Sequence, residues 1–167
     1  MKRPLGSEEG QHLDYKSIRA VTGHTADWSE LAKDCVAFAN AAGGTVILGI
    51  EDGADAPPAG QQIDPALVDR VRKRLSELTV NLHVHPELRA HANGGEILVL
   101  HVDRGHGVAS TSDGRYFLRV GDGSQPIVGD DVLRLATDRP GVPWETVTTL
   151  GVARAQAEAG KVAALVD

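Results

Sequence analysis

The sequence predicts an α/β (α+β) domain with a β-α-β-α-β-β core, a mixed sheet, an additional strand and C-terminal helices. Three observations carry this. Short strand signals alternate with helical apolar stripes. Helix caps stand where those stripes begin. An Asn-Gly pair separates two strand-like runs near residue 93. The 167 residues are 41% hydrophobic and 24% charged, which excludes a disordered chain. Aromatics are only 4%, so the core must come from Val, Leu, Ile and Ala. We expect one domain over 1–139, then a proline-containing linker and an Ala-rich, helical tail over 140–167.

Residues 12–18 alternate, with Leu13 and Tyr15 on one side and Asp14 and Lys16 on the other, as a short strand does. Asp27 then reads as an N-cap, with Glu30 as the other half of a capping box. Trp28, Leu31, Ala32, Cys35, Val36 and Ala39 recur at helical spacing, and Gly43-Gly44 ends the helix. Trp28 is expected in the core. Residues 45–51 are β-branched and apolar, a buried strand. Residues 52–62 hold Gly53, Pro57, Pro58 and Gly60 and form a loop. Asp64-Pro65 opens a second helix, with Leu67, Val68, Val71, Leu75 and Leu78 as its stripe. Strands follow over 84–90, 96–102 and 115–120, and a short helix starts near Asp130 with Val132, Leu133 and Leu135. The tail has no C-cap, so a longer natural protein is expected to continue beyond Asp167.

Composition narrows the function classes. With 17 basic against 23 acidic residues the net charge is −6, which excludes a strongly basic, sequence-blind DNA coater but leaves room for a local basic face. A single cysteine, Cys35, forms neither an internal disulfide nor a zinc cluster, and fits a cytoplasmic setting. The apolar runs are far shorter than the roughly 20 residues of a membrane helix, and the first residues lack the apolar stretch of a secretory signal.

A parallel β-α-β unit brings the C-terminal ends of its two strands to one sheet edge, where open α/β sheets bind ligands. Glu9, Asp14, Lys16 and one of Glu51 or Asp52 fall there, facing solvent. Clustered carboxylates call for a cation, and hard oxygen ligands suit Mg²⁺ or Mn²⁺. Such a metal polarises a phosphodiester and activates water, with a lysine to stabilise the developing charge. The plainer reading is a solvated strand face. Asn40 with Gly43-Gly44 reads as a helix end, and Gly121-Asp122-Gly123-Ser124 as a turn. No G-K-[ST] ending supports a P-loop. His83 and His85 share a strand face without a complete metal-ligand set. Arg70, Lys73 and Arg74 read as a wet helix face. Arg104, Arg115 and Arg119 are candidates for RNA contact, and Tyr116 and Phe117 for base stacking, although one of the two aromatics must be core.

Three stretches carry a family resemblance. Residues 9–17, EGQHLDYKS, resemble the pattern E-S-x-x-[LV]-E-F-K-x. Residues 37–53, AFANAAGGTVILGIEDG, resemble A-F-A-N-T-x-G-G-x-[IL]-x-[IL]-G-V-x-D-x-G, and 116–121, YFLRVG, resemble a Y-x-R-x-G strand. Together, over about 7–138, they look like the Schlafen-type AlbA_2 domain, with an Alba/Schlafen-like fold. The resemblance implies a metal-dependent endoribonuclease cutting structured RNA such as tRNA. Its carboxylates fall on Glu9, Asp14 and Asp52, with Lys16 beside them and Mg²⁺ or Mn²⁺ as cofactor; Arg119 lies on the family's strand. The sequence departs at Asp14, where the family has Glu, and at Tyr15, where it has Phe. The alternative is a non-catalytic nucleic-acid-binding module of a larger regulator or defence protein; a third reading is a scaffold that binds a partner through the tail. RNA is expected ahead of DNA. A homodimer is expected too, because one lobe alone would not cradle a helix.

Overall fold

The computed structural model describes residues 9–139. The expected tail over 140–167 lies outside them. The main sheet has four strands in the order β1-β2-β5-β4: β1 is Leu13–Lys16, β2 Gly44–Leu48, β4 Val84–Ala90 and β5 Glu96–Val102. β1 and β2 run parallel, and β5 is antiparallel to both β2 and β4, so the sheet is mixed as expected. A parallel pair needs a crossover connection, and helix α1, Trp28–Asn40, supplies it. Two 3-10 turns, Ile18–Ala20 and Gly23–Thr25, occupy the chain between β1 and α1 and end the first strand earlier than its alternation suggests.

The Asp27 carboxylate accepts the Glu30 N–H at 3.0 Å, as an N-cap should. The other half of the capping box is absent, because Glu30 pairs with Lys33 at 2.9 Å. At the other end Gly43 adopts φ +81° and donates to Phe38 O at 2.8 Å. A Cβ there would lie 2.8 Å from Val102 O, so the close approach also requires glycine. Helix α2, Ala66–Leu78, follows the loop; Asp64 caps it by accepting the Ala66 N–H at 2.9 Å.

The helices and the inner sheet face enclose the main core, in which Leu31, Cys35, Phe38, Val46, Leu48, Val71, Leu98 and Leu100 are buried. Each large side chain here contributes about 1.5–3 kcal/mol. The outer face carries a second buried cluster of Leu13, Tyr15, Ile47, Ile50, Ile97 and Val99, with Ala54 packed on it. Trp28 sits at the margin of the main core, half-buried, with the Arg74 guanidinium 5.7 Å from its ring centroid.

Four further strands pair outside the main sheet, and all but Tyr116–Val120 carry weak sequence signals. β3, Thr79–Val80, pairs with β6, Ser110–Thr111. β7, Tyr116–Val120, pairs with β8, Gly123–Ile127, so the expected turn at Gly121-Asp122 closes a hairpin. Helix α3, Asp130–Thr137, follows as expected, with no fully buried residue. Asn40 ties the hairpin to α1. Its Nδ2 donates to Ala109 O and Phe117 O, each at 2.9 Å, and its Oδ1 accepts the Ala109 N–H at 2.8 Å. Asn40 is therefore a cross-link as well as the last helical residue.

Candidate functional site

Strand register decides where Asp14 and Lys16 point. Asp14 lies opposite Val46 and Lys16 opposite Leu48, two residues of the main core. Both side chains therefore face α1 rather than the solvent at the sheet edge, which corrects the expected orientation. α1 meets them with Asp34, a buried carboxylate. Lys16 Nζ lies 2.6 Å from Asp34 Oδ2 and 3.1 Å from Asp14 Oδ2. Ser124 Oγ donates to Asp34 Oδ1 at 2.7 Å. On the other side of Asp14, Arg119 Nη2 stands 3.7 Å from Oδ1. Arg119 Nε donates to Gly10 O at 3.1 Å, and its guanidinium lies over the Phe38 ring, 4.5 Å from the centroid.

Two carboxylates thus meet two cations. Burial pushes the Asp14 carboxyl up, with Lys16 opposing the shift. Burial alone would pull the Lys16 ammonium down, but Asp34 and then Asp14 outweigh it, and Lys16 stays protonated well above the usual lysine range. Beside this cluster the Cys35 thiol is pushed up by burial and by Asp34, which leaves it an inert core group.

The other two expected ligands are elsewhere engaged or apart. Glu9 Oε1 accepts the Tyr15 N–H at 2.9 Å. Glu51 takes the Ser17 hydroxyl at 2.6 Å and the Arg19 guanidinium at 2.9 Å. Its neighbour Asp52 is exposed in the following loop. Among the described residues no three His, Cys, Asp or Glu side chains gather to hold a metal ion. A dication at Asp14 would have to displace Lys16 and sit beside Arg119, against the repulsion of like charges. As arranged, Glu9, Asp14 and Asp52 do not fit Mg²⁺ or Mn²⁺.

The candidate nucleic-acid contacts divide sharply. Arg119 is 3% exposed and belongs to the buried cluster, which removes it from the expected surface. Arg104 is exposed, but its Nε donates to Ala41 O at 3.2 Å, just past the end of α1. Arg139 joins it there, donating to the carbonyls of Ala39, Asn40 and Ala41. These two arginines act as cationic partners of the helix C-terminus. Arg115 is different. It is exposed, and its guanidinium lies over the buried Phe117 ring at 5.2 Å. Tyr116, on the opposite strand face, is half-buried and lines a cavity of about 300 Å³ with Pro126, Ile127 and Val132.

A family model described as Schlafen, AlbA_2 matches residues 9–128. The chain belongs to the Schlafen AlbA_2 family. The match opens at Glu9 and ends just past the β7–β8 hairpin, so α3 lies beyond it. Membership of the AlbA_2 family points to a nucleic-acid-related function. Among solved structures, the DIP2311 protein from Corynebacterium diphtheriae is similar to this AlbA_2 chain, with a TM-score of 0.56 and 21% identity. The likeness covers 77% of this chain and 27% of that one, and at this identity it establishes the fold alone. No curated protein matches the chain. No helix among the described residues is long and apolar enough to cross a membrane.

Three polar residues that organise this AlbA_2 domain are not legible as such in the sequence. Asp34 is a charged residue one place before Cys35 in the apolar stripe of α1, and that position was its signal. Asn40 was legible only as a helix end. Gln11 reaches across to the hairpin, donating from Nε2 to Arg119 O at 2.8 Å and accepting the Gly121 N–H at 2.9 Å. Nothing local in the sequence marks that contact.

Proposed function

We propose that this AlbA_2 domain is a nucleic-acid-binding module that contacts its ligand through the surface around Arg115, while the Asp14–Lys16–Asp34–Arg119 cluster holds the fold together. The observation that carries the reading is the contrast between two nearby arginines. Arg119 is sealed against Asp14 and Phe38, whereas Arg115 stands in solvent over Phe117. Family membership supports a nucleic-acid ligand. The net charge of −6 means that attraction must come from a local cationic spot, so binding should be modest and only shallowly salt-dependent. RNA is the first polymer to try.

The test is fluorescence anisotropy of labelled RNA and DNA with the full chain, in EDTA and in Mn²⁺, with each strand checked afterwards on a denaturing gel. The proposal expects binding in both buffers and intact strands. With one or two phosphate contacts on a single strand, the log–log salt slope should be about −1. Cleavage that requires Mn²⁺ and disappears in an Asp14→Ala/Asp52→Ala variant would replace this reading with the endoribonuclease. No binding to any polymer would leave the scaffold.

A further inference from the structure

A cavity of about 510 Å³ opens between the first turn of α1, the end of α2 at Leu78 and the turn that joins β6 to β7. Its volume is that of a small-molecule site. Arg115 and Phe117 form one wall, and Asp27, Glu30, Lys33 and Asp113 contribute charge. Resting on the nucleic-acid-binding reading above, we propose that this cavity receives one unpaired, amino-bearing nucleobase of a single strand, stacked on the Arg115 guanidinium.

Charge selects what can enter. Three carboxylates against two cations make the interior unfavourable for a phosphate but open to a neutral heterocycle. Each charge has a local task. Asp27 caps α1, Glu30 holds Lys33, and Asp113 accepts from the Thr111 hydroxyl. Arg19, Arg72, Arg74, Arg89 and Arg134 each hold a carboxylate; exposed Arg70, Arg104 and Arg115 pair with none among the described residues, and of these three Arg115 is the one that lies over a ring. Phe117 supports the guanidinium from below, and a planar guanidinium is a surface on which unpaired bases stack. Carboxylate oxygens accept hydrogen bonds only, so Asp113 and its neighbours favour bases with exocyclic amino groups, adenine and cytosine over uracil. A base inside a duplex would have to leave its stack to enter, so single strands should bind better.

Arg115→Lys separates stacking from simple charge, since lysine keeps the charge and loses the plane. Short oligo(A), oligo(C) and oligo(U) strands and a blunt duplex are titrated against the full chain, its Arg115→Ala form and its Arg115→Lys form. Thermal melts of each variant confirm folding. We expect oligo(A) and oligo(C) to bind about tenfold tighter than oligo(U) or duplex, and both variants to lose about tenfold on oligo(A), the usual scale of one base stack. A 2-aminopurine placed in the strand should brighten on binding the native chain, because it leaves its stack with the neighbouring bases, and brighten less with Arg115→Lys. Arg115→Lys binding like the native chain would overturn the base pocket and leave a phosphate contact. Equal affinity for duplex and single strand, unaffected by Arg115→Ala, would overturn the pocket while nucleic-acid binding stands. Failure to bind any polymer would remove both.

Discussion

Helix α1 meets charge in two places and in opposite ways. At Asp34 it faces the closed cluster, where each carboxylate lies against a cation and Asp14, Asp34 and Arg119 are buried, with Lys16 partly so. At its first turn it borders an open cavity with an exposed guanidinium resting on a ring. The closed region draws Asp14, Lys16 and Arg119 from two of the stretches that resemble the family, whereas the open one draws only Phe117. Residue types recognisable as catalytic can thus be taken up by the fold itself. Buried charges must be matched inside, since an unmatched one costs several kcal/mol. A ligand-binding surface, in contrast, keeps an interaction unfilled.

The largest effect is expected of Lys16→Met. It leaves Asp34 and Asp14 buried without their shared cation, and we expect a loss of about 3–5 kcal/mol in urea unfolding monitored by circular dichroism. An unchanged midpoint would mean that the cluster is not closed. Next in size is Asn40→Leu, which strands the Ala109 N–H and two carbonyls between α1 and the hairpin. A loss of about 2–3 kcal/mol is expected in the same assay.

Alkaline pH probes the cluster without mutation. The Lys16 ammonium is favoured in the folded chain, so its contribution is fully present below the ordinary lysine value of 10.5 and fades as pH rises through the higher folded value. Melting temperature should fall steeply above about pH 10.5 in the native chain and less steeply in Lys16→Met. Parallel alkaline limbs would argue against the pairing. The smallest effect belongs to the open region. Arg115→Ala should change stability by no more than about 0.5 kcal/mol, because it removes an exposed side chain. A large loss there would mean that Arg115 is structural and that the comparison fails.

Local pattern made much of the fold legible. β4 and β5 emerged with their bounds because alternation and the Asn93-Gly94-Gly95 turn agree. α1 did so because Asp27 and Gly43 mark its ends. β8 was hidden because Gly123, Ser124, Gln125 and Pro126 show no apolar alternation and depend on β7 for their shape. β3 and β6, two residues each, leave no periodic trace at all.

The site was less legible than its motif promised. Asp14 and Lys16 do share a strand face, as the alternation requires, but which face points to α1 is settled by the pairing of β1 with β2. Arg119 was in part readable. It lies two residues from Phe117, so the burial of one on a strand implies the same side for the other. Asp34 could not be assigned a partner from sequence, since its cation comes from another element.

The central claim is that the chain binds nucleic acid without a divalent cation at its carboxylates. It is tested most directly by titrating labelled single-stranded RNA with the full chain in EDTA and again in Mn²⁺, and resolving the strand afterwards. The same affinity in both buffers and an uncut strand are expected. Mn²⁺-dependent cutting, abolished by Asp14→Ala/Asp52→Ala in a variant that still folds, would contradict it.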